Sequence, residues 1–587
     1  MNYNLNELQK AQDGKSNTYA VLRKLLSLIA EEKKSLVLAF TAIIVNSGLN
    51  LLGPLIIGYT IDNYVETKQF HGVLVYSGIL LVIYAIALVA NYLQTQLMGG
   101  VGQQVLFTLR NSIFNKLQEL PVAFFNQNKA GDLISRINND TDKLNQFFSQ
   151  SLMRFVGSIV TMVGAGIFLL SINFRLGAAA LAPGLLIFLI TKLLSPWVKK
   201  KNAVNMKSLG GLSAEIQESL NNFKVIIAFN RRDYFRKRFD EANKENYSTA
   251  ISAGLANNFF TPLYGFLTNI AQLIVLAYGI YLISIGDFTI GLLVSFLAYA
   301  NSFYGPLRQL AALWSGFQVA LAGWDRISNI LSLNSNLNIV KTEPSISSSS
   351  LLEFRNVHFS YPDSKEILHN ISFNLERGKS YAFIGPTGGG KTTTASLIAR
   401  LYDPVEGTVY LGGRDIRTYQ PEVRSKKIGF ILQEPFLFTG TVRDNILYGN
   451  EQYKDLSIGD LEQVLKDTNL EVLLEKFENG LDTKVTNTGD ALSLGQKQLI
   501  AFIRAVLRKP DILILDEATA NIDTITEKLL ENILTNLPET TTRVIIAHRL
   551  NTIENADEIF FVNSGEVIRA GSLEHAVDML LHNQRES

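Results

Sequence analysis

The stretch Gly385-Pro-Thr-Gly-Gly-Gly-Lys-Thr392 fits the pattern G-x-x-x-x-G-K-[ST], whose glycines let backbone N–H groups converge on phosphate oxygens. An apolar run at 381–384 precedes it and predicts a strand, and we expect a helix to begin near Thr393. A helix N-terminus there would point its positive dipole end at a phosphate. The predicted phosphate-binding residues are Gly385, Pro386, Thr387, Gly388, Gly389, Gly390, Lys391, Thr392 and Thr393.

The side chains of this loop predict a nucleotide with its metal. In the pattern, Lys391 reaches the β- and γ-phosphates and the Thr392 hydroxyl binds Mg²⁺. A second apolar run, 512–515, ends in Asp516 and Glu517. Asp516 suits the Mg²⁺ shell, and Glu517 is placed to polarise the water that attacks the γ-phosphate. Without the loop, two acids at a strand end could equally cap the next helix. Together the two motifs predict ATP hydrolysis with ATP and Mg²⁺ as cofactors.

Further apolar runs alternate with helical patterns after residue 350, which is typical of a parallel α/β sheet. The predicted strands cover 381–384, 428–432, 512–515, 544–547 and 559–562. His548 follows one of these runs, on the edge where such sheets bind ligands, and could hydrogen-bond the γ-phosphate. A lone histidine is more often structural.

Long apolar segments dominate the first 330 residues. Charged residues make up only 18% of the chain and the mean hydropathy is +0.15. Each segment approaches or exceeds the ~20 residues that a helix needs to cross a bilayer. The alternative, buried helices of a large soluble core, is disfavoured because six such segments with few internal charges occur before residue 320. We therefore expect six membrane helices and a lipid bilayer as partner. The segments run at about 35–59, 73–95, 151–172, 176–195, 259–284 and 289–318.

Positive charge is concentrated before the first segment and in the two long connections, around 96–150 and 196–258. The positive-inside rule then places both termini and these connections in the cytoplasm. The polar N-terminus does not resemble a signal peptide. A multi-pass protein of a bacterial-type cell inner membrane is expected.

The composition excludes several classes of function. The chain has 54 Lys+Arg against 53 Asp+Glu, so no basic surplus suggests nucleic acid, and no nucleic-acid partner is expected. It has no cysteine, which rules out disulfides and thiolate chemistry. The serine-rich stretch 345–350 is typical of a linker. The expected domains are a membrane domain at 1–335, a linker at 336–350 and a nucleotide-binding domain at 351–587.

The segment Leu492-Ser-Leu-Gly-Gln496 is similar to the signature L-S-G-G-Q and lies between the phosphate loop and the Asp-Glu strand. On these motifs nearly the whole chain resembles an ABC exporter half-transporter of the B-type multidrug and lipid family. The resemblance implies a multidomain membrane protein, in which an all-α six-helix transmembrane domain is followed by an α/β P-loop ATPase domain. It also implies export by alternating access, as a dimer with a second half-transporter.

The resemblance assigns further roles. Tyr361 resembles the aromatic residue that stacks on adenine, and Gln433 the residue that contacts Mg²⁺ and the attacking water. Asp523 resembles the D-loop aspartate. Ser493 and Gly495, with Gln496 beside them, would contact the γ-phosphate bound by the second copy. From the residues alone, Tyr361 could equally be a core aromatic and Gln433 an ordinary loop residue.

Two cytoplasmic segments, Val122–Lys129 and Ala228–Tyr234, are similar in position to the coupling helices that dock on the nucleotide-binding domains. The chain departs from the family pattern at Leu494, Ala520 and Asn487. Leu494 replaces a signature glycine, and the expected phosphate contacts lie on its neighbours. Asn487 stands where a glutamate is usual, which leaves a heterodimer with a degenerate partner half as an alternative to a homodimer.

The cargo stays open at this point. The abundant aromatic residues fit amphipathic substrates but equally fit packing at the membrane interface. Drug-like compounds, lipids and hydrophobic peptides all remain candidates, including a dedicated lipid or peptide exporter. Polar residues of the spans could line a translocation cavity or join helices by hydrogen bonds. They include Asn46, Asn50, Asn91, Asn258, Asn269, Gln272 and Asn301.

Two rival functions fit less well. A soluble ABC ATPase acting on nucleic acid or ribosomes would lack the six apolar segments and would carry a basic surface. A regulatory, channel-like half that binds ATP without turnover is disfavoured by the presence of Glu517.

Overall fold

The computed structural model describes residues 3–5, 7–8, 32–341, 350–362, 364–486, 492–516, 524–546, 553 and 556–583. The chain forms two compact units. The helical unit comprises residues 9–117 and 131–332, and the sheet unit comprises residues 1–8, 118–130 and 333–587. The second unit therefore includes a short segment that lies between two long helices in the sequence.

Residues 32–332 are almost wholly helical. Six stretches of the described chain are long and apolar enough to cross a membrane, as the six apolar segments predict. Between Ala130 and Ile172, π-helical turns at Arg136–Asp140 and Phe147–Ser151 interrupt the α-helix. The helices are α1 (Lys33–Thr60), α2 (Phe70–Glu119), α3 (Val122–Gln127), α4 (Ala130–Ile172), α5 (Phe174–Asn221), α6 (Phe223–Ala228), α7 (Arg232–Asn258), α8 (Phe260–Ser284) and α9 (Ile290–Leu331).

The long helices expose large apolar side chains on their outer faces, which is the surface that a lipid-embedded helix requires. Leu185 is 74% exposed and Leu81 is 70% exposed. Prolines within α1, α5 and α9 are compatible with this environment, because neighbouring helices can satisfy the backbone groups that proline frees. The carbonyl of Pro54 itself accepts a 2.7 Å hydrogen bond from Ser295 Oγ of α9.

Small residues let α1 and α9 approach closely. A Cβ added to Gly58 would lie 2.5 Å from the Gly291 carbonyl oxygen, so the two backbones are in direct contact. Tyr299 donates a 2.7 Å hydrogen bond to the Leu51 carbonyl and stacks on Phe168 at 4.9 Å. These contacts join α1, α4 and α9 into one bundle.

The sheet unit contains a six-stranded sheet in the order β12-β11-β3-β10-β9-β6. Its strands pair in parallel except for β12, as the five apolar runs predict. A second sheet, antiparallel with the order β2-β1-β4-β5, was not predicted. The strands are β1 (Leu352–Ser360), β2 (Glu366–Leu375), β3 (Ser380–Ile384), β4 (Glu406–Leu411), β5 (Arg414–Asp415), β6 (Ile428–Ile431), β7 (Gly440–Thr441), β8 (Lys484–Val485), β9 (Ile512–Asp516), β10 (Thr542–Ile546), β11 (Glu558–Asn563) and β12 (Glu566–Arg569).

Helices connect the parallel strands and share one apolar core with them. β3 and β9 are buried along their whole length, as expected for the interior of a parallel sheet. The helices are α10 (Lys391–Ile398), α11 (Pro421–Lys427), α12 (Val442–Ile446), α13 (Ile458–Asp467), α14 (Glu471–Leu474), α15 (Leu494–Val506), α16 (Thr524–Thr535) and α17 (Leu573–Asn583). The expected fold class, a six-helix membrane region followed by an α/β region, is confirmed.

The N-terminal residues Tyr3–Leu5 form a strap across α3 within the sheet unit. Tyr3 is fully buried and packs edge-on against Phe124 at 6.3 Å. The strap backbone bonds to α3 and its end: Tyr3 N donates to Gln127 Oε1 at 2.8 Å, and Asn128 Nδ2 donates to Tyr3 O at 2.9 Å. The Tyr3 hydroxyl donates to Asn334 O at 3.0 Å and accepts from Asn336 N at 2.9 Å. The strap thus joins α3 to the segment that follows α9.

Candidate functional site

The predicted phosphate loop joins the carboxyl end of β3 to α10, which begins at Lys391, two residues earlier than expected. Gly385, Gly388 and Gly390 have positive φ angles of 146°, 83° and 115°. A Cβ on Gly385 would lie 1.9 Å from the Val562 carbonyl oxygen. The turn therefore requires glycine at Gly385 for both conformation and space.

Lys391 lies inside this turn and is only 6% exposed. Its ammonium donates to the carbonyl oxygens of Gly385 at 2.8 Å and Pro386 at 2.9 Å. These carbonyl contacts hold a positive charge within the loop, beside the N-terminus of α10. Backbone geometry, a helix terminus and one cation together form an arrangement that suits an anion such as phosphate.

Two side-chain oxygens lie close together at the base of the loop. Thr392 Oγ1 lies 3.4 Å from Asp516 Oδ1, and Asp516, at the end of β9, is 5% exposed. Hydroxyl and carboxylate oxygens are the ligands that Mg²⁺ prefers, so this pair fits that metal. Gln433 lies two residues beyond the end of β6 and is exposed. Glu517, Asp523 and His548 lie outside the described residues, as do Asn487 and Ala520.

Tyr361 lies beside the phosphate loop rather than in the core. Its hydroxyl is 3.3 Å from Thr393 Oγ1, and its ring packs edge-on against Tyr402 at 5.1 Å and Phe359 at 4.9 Å. The half-buried ring is held by other aromatic rings at the mouth of the loop. This placement is compatible with stacking on a nucleotide base.

Ser493 caps α15, the helix that carries the signature segment. Its Oγ accepts from Gln496 N at 3.2 Å, while its own N–H donates to Gln496 Oε1 at 2.9 Å. Gln496 Nε2 also donates to the Lys476 carbonyl at 2.8 Å. The sequence S-x-x-Q thus forms a capping box that fixes the N-terminus of α15. Leu494 is 41% exposed and Gly495 lies in the first turn.

Arg504, which the sequence did not single out, connects α15 to the loop after β6. Its guanidinium donates to Asn445 O at 2.8 Å and Phe436 O at 3.0 Å, and lies 5.7 Å from the Tyr448 ring centroid. Burial lowers the pKa of Arg504 below its usual range. No motif marks this residue, although an arginine on the buried side of an amphipathic helix is a usable signal.

Helix α3 contacts the same end of the sheet unit as the phosphate loop. Asn126 Nδ2 donates a 2.7 Å hydrogen bond to the hydroxyl of Tyr402. Burial raises the pKa of this hydroxyl. Tyr402 in turn packs on Tyr361. A cavity of about 370 Å³ is lined by α3 residues together with Tyr361, Thr392 and Tyr402. Asn126 and Tyr402 were also missed, because a pair 276 residues apart leaves no local pattern.

Comparison with known proteins matches two parts of the chain to family models. Residues 36–307 match the family model of the ABC transporter transmembrane region, and residues 368–520 match that of the ABC transporter itself. The chain is 35% identical to the uncharacterized ABC transporter ATP-binding protein YfiC of Bacillus subtilis over 96% of this chain and 92% of that protein.

The chain belongs to the ABC transporter family. It combines the membrane region and the ATP-binding domain of an ABC exporter in one polypeptide. The transporter is also 31% identical to a multidrug resistance ABC transporter ATP-binding and permease protein of Lactococcus lactis, over 81% of this chain and 80% of the relative. A fatty acid ABC transporter ATP-binding/permease protein of Mycobacterium bovis is 30% identical over 84% of this chain and 77% of its own length.

Proposed function

We propose that this transporter hydrolyses ATP and exports amphipathic or hydrophobic molecules by alternating access, as a dimer of half-transporters. Two relatives carry names that specify multidrug resistance and fatty acid transport, which supports cargo of this kind. The bacterial relatives and the positively charged connections support a place in the cell inner membrane, with the ATP-binding domain and both termini in the cytoplasm.

The observation that carries the proposal is the position of α3. This helix follows α2, one of the membrane-length helices, yet it belongs to the sheet unit. Its Asn126 bonds Tyr402, which contacts the ring proposed to stack on adenine. A change at the nucleotide can therefore act through Tyr402 and α3 on a helix of the membrane region.

The second proposed coupling segment, Ala228–Tyr234, covers the end of α6, a turn and the start of α7. Next to it lies a mostly apolar cavity of about 520 Å³, lined by Phe223, Ile226, Phe235 and neighbouring residues. An apolar surface at the tip of a polar helical extension is typical of a docking site. We assign it to docking on a nucleotide-binding domain of the transporter.

At the ATP site, Thr392 and Asp516 would hold Mg²⁺, with Gln433 as a further oxygen ligand. The ion would neutralise charge on the phosphates. Lys391 binds the β- and γ-phosphates, Tyr361 stacks on adenine, Glu517 orients the attacking water and His548 bonds the γ-phosphate. Asp523 lies in the segment that would face the second copy.

The capping box explains how Ser493 can serve a second copy. A hydroxyl has one donor and two acceptor positions, and the cap uses an acceptor position only. The hydroxyl hydrogen can therefore donate to a phosphate bound by the other half, beside the Gly495 N–H. Gln496 holds both groups in place through its bonds to Ser493 and Lys476.

Hydrolysis is tested by ATPase assays on the chain reconstituted in liposomes. Because a positioned general base contributes about 10²–10⁴-fold, Glu517→Gln should lower the ATPase rate by at least about 100-fold. Glu478→Gln, an exposed glutamate of the same unit, is the matched control and should leave the rate unchanged. An unchanged rate in Glu517→Gln would overturn the catalytic assignment.

Dimerisation is tested by mixing two inactive variants. A Ser493→Ala chain keeps Glu517, and a Glu517→Gln chain keeps Ser493, so a mixed dimer holds one intact composite site. Random mixing should restore about a quarter of the wild-type rate, since half of the dimers are mixed and each has one working site of two. No recovery on mixing would contradict a site shared between copies. A wild-type chain active only with a second subunit would favour the heterodimer.

A further inference from the structure

A polar cavity of about 580 Å³ lies within the membrane-length helices of the helical unit. It is bounded by α1, α2, α4 and α9, and Asn46, Asn91, Thr161 and Gln309 are among its lining residues. Its volume falls within the range of ligand pockets in proteins. Polar side chains are costly in the membrane interior, so their convergence around one space indicates a function.

Contacts between helices do not satisfy every hydrogen-bonding group that lines the cavity, and Gln94 is an example. The side chain lines the cavity and is only 7% exposed. Its Nε2 donates to Asn91 Oδ1 at 2.7 Å, and among the described residues its Oε1 has no hydrogen-bond partner. A buried amide with an unsatisfied atom favours a polar group in the cavity.

The charge on the side chains that line the cavity is positive and comes from Arg154. Arg154 is the only ionisable residue among those that line it, and no ion pair to Arg154 occurs in the described part of the chain. The six apolar segments of the sequence contain three basic residues, Arg154, Lys192 and Arg308, and neither Asp nor Glu. With no carboxylate in these segments and no ion pair in the described part of the chain, the guanidinium is available to an anionic ligand.

We propose that this cavity binds the anionic headgroup of an amphiphile, with Arg154 as the specificity-determining contact and Gln94 bonding the polar part of the headgroup. The inference rests on the proposed export function and names its cargo class. Carboxylate and phosphate monoester headgroups share the required chemistry, because both accept bidentate hydrogen bonds from arginine. The apolar side chains of Ile43 and Met153 also line the cavity and would contact the first methylenes of the tail.

An arginine near the end of a membrane helix can also extend to the lipid headgroups, where its charge serves anchoring alone. Anchoring and cargo recognition differ in their dependence on the ligand charge. The test therefore compares amphiphiles that share a tail and differ only in the headgroup.

The experiment uses the full chain in nanodiscs of phosphatidylcholine without ATP, with empty nanodiscs as the background. Equilibrium dialysis measures binding of radiolabelled laurate, dodecyl phosphate and dodecyltrimethylammonium. We expect both anions to bind at least tenfold more tightly than the cation. Arg154→Gln should weaken anion binding about tenfold, equivalent to about 1.4 kcal/mol, and Arg154→Lys should keep most of it. Lys192→Gln, a basic span residue outside the cavity lining, is the matched control and should bind as wild type.

Equal binding of the three probes, or wild-type anion binding in Arg154→Gln, would overturn the inference. The same holds if Lys192→Gln weakens binding as much as Arg154→Gln. Preferred binding of one anion over the other supports the inference and identifies the headgroup. If laurate binds through Arg154 but ATP moves none of the probes across liposomes, the export function fails and the binding inference stands.

Discussion

The phosphate loop can require glycine for two reasons, an unusual backbone conformation or a lack of space for a side chain. Comparing alanine at Gly385 with alanine at Gly388 separates these two effects. Gly385 and Gly388 both have positive φ, so each alanine variant costs about 1–3 kcal/mol for that conformation. They differ in their surroundings. A Cβ on Gly385 would lie 1.9 Å from the Val562 carbonyl oxygen, whereas a Cβ on Gly388 would meet nothing within 4 Å. Gly388→Ala is therefore a matched control for the clash.

The carbonyl of Val562 cannot simply retreat, because its strand β11 pairs with β3 up to Phe561 and Ile384. The loop must move instead, away from the geometry that binds phosphate. Overpacking of this kind costs about 1–3 kcal/mol, a factor of roughly 5 to 150 in an equilibrium constant. We expect Gly385→Ala to bind ATP more weakly than Gly388→Ala by that factor.

The assay is titration of each purified variant with a fluorescent ATP analogue at 25 °C, after a thermal melt has shown that both variants are folded. Competition with unlabelled ATP checks that the probe occupies the same site. Dissociation constants within twofold of each other, or a weaker Gly388→Ala, would refute the reasoning that the Val562 carbonyl fixes the loop.

Three further predictions follow from contacts in the sheet unit. Tyr402→Phe removes the hydrogen bond from Asn126, which is worth about 0.5–1.5 kcal/mol. The amount transported per ATP hydrolysed should fall while ATP binding persists. An unchanged ratio of transport to hydrolysis would exclude this bond from coupling. Arg504→Lys loses the forked contacts to two carbonyls and should lower the free energy of unfolding by about 2 kcal/mol. Arg508→Lys, which loses a single bond, should cost less in the same denaturant titration, and equal costs would contradict the role of Arg504. Tyr3→Phe removes the two hydrogen bonds of the strap hydroxyl. Hydrogen exchange of the amide of residue 336 should therefore accelerate about tenfold or more. An unchanged exchange rate would show that the hydroxyl does not hold the strap.

The sequence was informative where structure depends on local chemistry. Buried parallel strands are continuous apolar runs, so the five strands could be predicted. The glycine-rich turn between strand and helix could be recognised from the spacing of its residues. The antiparallel sheet was missed because β1 alternates irregularly between buried and exposed positions, and because its register shifts against β2. Its pattern therefore lacks the strict alternation of a half-buried strand.

Contacts between distant parts of the chain could not be predicted in the same way. The sequence left open whether polar residues of the spans line a cavity or join helices, and the structure shows both. Asn46 and Asn91 line the cavity, whereas Gln272 donates to Asn301 at 2.7 Å and joins α8 to α9. Which outcome applies depends on the helix face and its neighbour, and neither is encoded in a local pattern. The roles of Glu517, Asp523 and His548 stay predictions.

The strap has a consequence for biosynthesis. Tyr3 is synthesised before its hydroxyl partners, which follow 331 and 333 residues later. At roughly 5–20 residues per second, about 17 to 67 s pass between the synthesis of Tyr3 and that of these partners. By then every membrane-length helix has been translated. The contacts of Tyr3 with α3 need only residues up to Asn128, whereas its two hydroxyl bonds can form only at that stage. Fastening of the strap to the segment after α9 is therefore a late step of folding.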